Sequence, residues 1–198
     1  PSPEVSQGAH IVVLFLPPAV AAPRRSLSLA ALAGELKSAF PSVSFELVEH
    51  NPPMFDGVLA ETYFVTPEDY RPSAVINKSV KRDLLAGCCS ALREAARVGA
   101  QLVIGDGQGA VIAAALARPR IVEAALAARS VQADEGEMFS AAWHAIRVIV
   151  CHSPRLYGSA KADRLFEAVP SLADPAKEGE EFHPTIVMTP DYGPSPFC

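Results

Sequence analysis

Gln101–Ala117 reads QLVIGDGQGAVIAAALA, and this stretch decides the fold. Gln101–Ile104 is a short apolar run with β-branched residues. Gly105–Gly109 places three of the twelve glycines within five residues, and Ala110–Ala117 is alanine-rich. A strand, a glycine turn and a helix in direct succession form the repeating unit of an α/β sheet. Glycines at such a turn let the chain reverse tightly and leave the first backbone N–H groups of the helix facing outward.

The same alternation extends to both sides. His10–Leu16 (HIVVLFL) is a continuous β-branched and aromatic run stopped by Pro17-Pro18, as expected of a strand buried on both faces. Ser26–Phe40 has Leu29, Leu32, Leu36 and Phe40 at helical spacing, with Ser26 or Ser28 as N-cap and Pro41 as the stop. Val43–Val48 reads as a second strand. Glu49–Pro72 is a long proline-punctuated segment, of the length that usually serves function, with Thr62–Val65 as a short extra strand. Ser79–Val98 is the clearest helix, with Val80, Leu84, Cys88, Leu92 and Ala95 on one face and Gly99 as the residue that ends it. Further on, Ile121–Arg129, Glu135–Ala145 and Lys161–Val169 read as helices, and Ile146–Val150 and Thr185–Met188 as strands.

These elements predict an α/β fold. The expected form is three-layer, with about five strands in a mainly parallel sheet and helices on both faces. The strand order is 2-1-3-4-5 or Rossmann-like. The expected organisation is a leader over residues 1–9, one domain over 10–190 and a tail over 191–198.

Composition narrows the class. The chain has 198 residues, 49% of them apolar and 20% charged, with a net charge of −5. It is too apolar to be disordered throughout and suits one well-enclosed core. No apolar stretch approaches the roughly 20 residues that cross a bilayer. No basic region precedes the early apolar run, so no secretory signal is expected. Eighteen prolines are nearly twice the usual share of ~5%, yet none falls between Ser73 and Arg118, so regular structure should concentrate there. Cys88, Cys89, Cys151 and Cys198 include no C-x-x-C pair, which argues against a structural zinc site and for reduced thiols in a soluble intracellular protein.

Three readings of the glycine turn compete. LVIGDGQGAVIAAALA resembles the nucleophile elbow of α/β-hydrolases and acyltransferases, with Gly105 and Gly109 at the outer glycine positions of G-x-S-x-G. The resemblance covers only the residues around the turn. It implies strand–turn–helix geometry without the family's chemistry, because Gly107 stands where the serine would be. In the second reading, Gly105-x-Gly107-x-x-Ala110 followed by Glu123 matches a dinucleotide-binding fingerprint, with no room for the strand that should precede the acid. In the third, the glycines serve close packing alone. Separately, RDLLAGCC (Arg82–Cys89), the turn and ALAARSVQ (Ala125–Gln132) resemble a segment recurring in large predicted mobile-element polyproteins of protists. That resemblance implies a domain cut from a longer chain and no particular activity.

In a parallel sheet the strand C-termini and the following helix N-termini share one edge, where ligands bind. This edge should bring Arg24, Arg25, Arg71, Lys78, Lys81, Arg82, Arg155 and Lys161 near the turn, with Asp191 after the last strand. Positive charge at a helix start opposes the macrodipole, so Lys78, Lys81 and Arg82 stand against local propensity, as residues kept for an anion would. The expected ligand site is therefore Gly105, Asp106, Gly107, Gln108 and Gly109 with Lys78, Lys81, Arg82 and Arg155. Its ligand is a small phosphate- or carboxylate-bearing molecule, and a protein partner is the other candidate. The basic cluster is too small for general nucleic-acid binding.

Catalytic candidates are Cys151, His152 and Asp106. Cys151 would be a nucleophile and Asp106 a base or magnesium ligand. His152, next to Cys151 on a strand, points the other way and is not automatically its base. The alternative functions are an enzyme using Cys151 or Asp106 on a phosphorylated or acyl substrate, and an interaction module from a polyprotein. His10, His50 and His183 show no ligand spacing, and His144 beside Trp143 reads as packing. No cofactor is indicated.

Overall fold

The computed structural model describes residues 9–18, 28–52, 63, 74–127, 133–152 and 185–189, with the backbone alone for 74–81, 133, 134 and 185–189. The chain runs β1 (His10–Leu16), α1 (Leu29–Ala39), β2 (Ser44–Glu49), α2 (Ala74–Val98), β3 (Leu102–Asp106) and α3 (Gln108–Leu116). It continues with α4 (Pro119–Leu126), α5 (Ala133–Ala145), β4 (Val148–His152) and β5 (Thr185–Thr189). The strands lie side by side in the order β2-β1-β3-β4-β5, and every pairing is parallel. The fold is therefore of the α/β class.

Strand alternation divides the core. Leu14, Leu16, Val103, Ile149 and Cys151 point to one face, where they join Leu84, Cys88 and Leu92 of α2, most of α3, and Phe139 and Trp143 of α5. Val13, Phe15 and Ile104 point to the other face, where α1 lays Leu29, Leu32 and Leu36 over them. Among the described residues the two faces are unequally covered. α1 has no buried residue, whereas α3 buries all of its residues except Ala114.

Local chemistry explains the boundaries. Ser28 caps α1 by accepting a hydrogen bond from the Ala31 amide at 3.1 Å. α2 ends at Gly99, whose φ of 68° is the left-handed conformation that closes a helix. Pro119 begins α4, where its missing N–H leaves no bond unmade. The Trp143 indole N–H donates to the Leu116 carbonyl at 2.8 Å, fastening α5 to the end of α3.

Several boundaries differ from the sequence expectation. α2 begins at Ala74, because nothing between Ala74 and Ser79 breaks a helix. β3 runs through Asp106 and α3 starts at Gln108, so the expected five-residue turn reduces to Gly107 alone. β4 extends through His152. The expected strand Thr62–Val65 (Tyr63 excepted), the helix Lys161–Val169 and the terminal leader and tail lie outside the described residues. No helix among the described residues is long and apolar enough to cross a membrane.

Candidate functional site

The turn after β3 is built from close backbone approaches. A Cβ on Gly105 would fall 2.3 Å from the Gly109 carbonyl oxygen, and one on Gly109 would fall 2.0 Å from the Leu16 carbonyl oxygen. Both positions exclude any side chain, so α3 can press against the ends of β1 and β3. Gly107 differs. Its backbone sits at φ 55°, ψ −114°, a shape that L-residues adopt only under strain. A Cβ there would meet Pro18 Cβ at 3.1 Å, so Pro18 lies over the turn.

Asp106, the last residue of β3, pairs in register with His152, the last residue of β4. Their side chains meet: His152 Nδ1 lies 2.9 Å from Asp106 Oδ1. A carboxylate only accepts, so Nδ1–H is the donor, and Nε2 becomes the nitrogen that exchanges a proton. The Asp106 side chain is 4% exposed and that of His152 27%, so a buried acid holds an imidazole that solvent reaches. Below them, the Gly107 N–H donates to the His152 carbonyl at 3.2 Å, tying the turn to β4. Of the Gly107–Gly109 amides expected to face an anion, that of Gly107 is thus bonded within the fold.

Cys151 does not belong to this pair. Strand alternation turns it to the opposite face, into the core with Ile149. Burial pushes its thiol up to about 12, so the thiolate needed for attack is scarce at neutral pH. The expected nucleophile is a buried core thiol, and Cys88 and Cys89 are likewise buried.

The expected basic edge is only partly described. Arg82 points into solvent and donates from Nε and Nη2 to Asp83 Oδ1 at 3.1 and 3.0 Å. With α2 starting at Ala74, Lys81 and Arg82 stand beyond its first turn, where the macrodipole acts little. Lys78 and Lys81 are placed as backbone only. Arg24, Arg25, Arg71, Arg155, Lys161 and Asp191 lie outside the described residues. The dinucleotide reading fails on topology, because α3 is followed by α4 and Glu123 is an exposed residue of that helix. Among the described residues, no group of three histidine, cysteine or carboxylate side chains could hold a metal ion.

A second polar cluster has no sequence signal. His50, just after β2, stacks on Tyr63 with ring centroids 5.5 Å apart. Its Nδ1 lies 2.9 Å from the Tyr63 hydroxyl and its Nε2 3.1 Å from the Ser90 hydroxyl on α2. The Tyr63 N–H donates to Gln108 Oε1 at 3.1 Å, so the cluster reaches the first residue of α3. Burial lowers the imidazole's affinity for a proton below the ordinary histidine value, opposed by the nearby Glu94 carboxylate and a hydrogen bond to the Ser90 backbone. Burial and the Glu49 charge push the Tyr63 phenol well above its ordinary range, so it stays protonated.

The Asp106–His152 pair, by contrast, has a faint sequence signal. Each residue stands two positions beyond the apolar run of its strand, Asp106 after Ile104 and His152 after Val150. Counting each strand to its last apolar residue places the two side by side. The comparisons with known proteins end there: no family model, no curated protein and no solved structure matches this chain.

Proposed function

We propose that the chain is a three-layer, five-stranded doubly wound domain that binds a small carboxylate- or phosphate-bearing ligand at the C-terminal edge of its sheet, beside Gly107. The supporting observation is the Asp106–His152 pair: a partly exposed imidazole fixed by a buried carboxylate at the edge where α/β sheets take their ligands. The ligand's anionic group docks on the solvent-reached Nε2 of the ring that Asp106 holds in place. The serine-type chemistry of the elbow is absent from this reading, because Gly107 has no nucleophile.

Isothermal titration of the chain with acetate and with inorganic phosphate tests the proposal. The expected result is saturable binding that is lost in His152→Ala. Equal binding by the wild type and His152→Ala would remove the imidazole from the site.

A second reading, an interaction module that docks a protein partner, rests on a different observation. α1 has no buried residue, and Phe40 at its end is 53% exposed. An apolar helix so lightly covered is a surface on which another protein can close.

A further inference from the structure

We propose that His50 is an acid-sensitive clasp at the junction of β2, α2 and α3, and that a second proton on its ring releases the Tyr63 side chain while the sheet stays folded. The proposal stands independently of the ligand reading above.

The clasp is built from contacts on every side of Tyr63. His50 is 3% exposed and Tyr63 is fully buried. The two rings stack at an interplanar angle of 14°, and the imidazole nitrogens meet the hydroxyls of Tyr63 and Ser90. Tyr63 sits in a notch that α2 opens at Gly87. A Cβ there would fall 3.5 Å from Tyr63 Cδ1 and 2.8 Å from Ile112 Cδ1 of α3. The Tyr63 N–H in turn donates to Gln108 at the start of α3. The His50 N–H donates to the Phe15 carbonyl at 2.9 Å, so its backbone is held to β1 and the ring can turn without moving the strand.

Proton counting shows why the clasp opens. A neutral imidazole has one N–H and one lone pair, so one of the two hydroxyls donates to the ring. A second proton makes both nitrogens donors. The hydroxyl that donated then points its hydrogen at another N–H and must turn away. The added charge also sits in a buried position, where it is costly. Among the described residues, Glu94 on α2 is the carboxylate that favours the charged ring. Its oxygens already accept from Arg97 Nε and Nη2 at 3.0 and 2.6 Å. Glu49 of β2 acts on the Tyr63 phenol, which keeps its proton, and α3 presents the neutral Gln108. Burial outweighs Glu94, so the ring accepts its second proton only below the ordinary histidine value of about 6.5. The clasp is closed at neutral pH and opens as pH falls through that lowered value. β2 keeps its own pairing with β1, from Ser44 to Glu49, so the opening is local.

Tyrosine- and histidine-ring NMR of the whole chain, from about pH 7.5 to about pH 4.5, tests the proposal. The Tyr63 signal is identified by its loss in Tyr63→Phe. The His50 and Tyr63 signals are expected to shift with one midpoint, below the ordinary histidine value, while the β3 amides stay protected from exchange. In His50→Gln, whose amide donates and accepts but does not titrate in this range, the Tyr63 signal should stay in place. Glu94→Gln removes the carboxylate that favours the proton, so the midpoint should move to lower pH. A Tyr63 signal that shifts alike in the wild type and His50→Gln overturns the proposal. So does one that stays in place as His50 titrates, or that shifts only when β3 loses protection. Should His50→Gln fail to fold, Glu94→Gln at its partly exposed position decides, and an unchanged or raised midpoint there overturns the proposal.

Discussion

Glycine has opposite effects at two positions in this chain. At Gly109 an added methyl would fall 2.0 Å from the Leu16 carbonyl oxygen, backbone that cannot swing aside. At Gly34, in the middle of α1, nothing lies within 4 Å of the same added carbon. Gly109→Ala is therefore expected to destabilise by roughly 1–3 kcal/mol or more. Gly34→Ala is expected to stabilise by about 0.5–1 kcal/mol, since alanine fixes helical backbone at a smaller entropic cost. Urea midpoints of the two variants check both signs, and a stable Gly109→Ala would refute the close approach of α3 to β1. His50 has a residue-scale effect of its own. Its folded proton affinity lies below the unfolded value of about 6.5, so the unfolded chain takes up a proton first on acidification. The stability contributed by neutral His50 is complete above that pH and is lost as pH falls towards and through the lowered folded value. In His50→Gln the stability should fall less between pH 7.5 and 5.5 than in the wild type. Parallel pH curves for the two proteins would contradict this account.

The elements are legible in the sequence where one signal dominates. β1 is an unbroken apolar run between a small residue and two prolines, and it occupies the expected residues. α1 has its cap, Ser28, among the two serines that the spacing offers. The turn is legible as a turn, but its extent is not. Glycine marks a place where backbone can bend, and only the hydrogen bonds show that β3 continues through Asp106. The start of α2 has a signal that a start at Ser79 passes over: Ile76 stands four residues before Val80 and extends its stripe. The site is half legible. Asp106 and His152 each stand two residues beyond an apolar run, and their contact becomes visible only once those runs are paired as neighbouring strands. The cluster of His50, Tyr63 and Ser90 joins residues 13 and 40 positions apart and gives no periodic signal. Charge counted along the chain overstates the basic edge at Arg82, which is engaged by Asp83 on its own helix.

At the scale of the molecule, the described residues enclose the two sheet faces unequally. One face is shut by α2, α3, α4 and α5, and the Arg93–Glu135 ion pair fastens α2 to α5 at its rim. The other has α1 over Val13, Phe15 and Ile104. Stability should follow this asymmetry. Leu92→Ala opens a cavity in the enclosed core and is expected to cost about 2–5 kcal/mol. Leu32→Ala removes a side chain that is only half-buried and should cost about 1 kcal/mol. Native-state hydrogen exchange should then show α1 and β2 opening at lower free energy than β3 and α2. Uniform protection across the four elements would contradict the asymmetry.

The bond between His152 and Asp106 spans 46 residues of chain, with three helices between its ends. Such a contact cannot form in a hairpin or an isolated helix. It exists only once β4 has come to lie against β3. The imidazole is therefore a native reporter of sheet closure. In a refolding experiment followed by NMR of the histidine rings, the His152 signal should reach its native position no earlier than the β3 and β4 amides become protected. Function at this edge would arrive with the pairing of β3 and β4, not ahead of it.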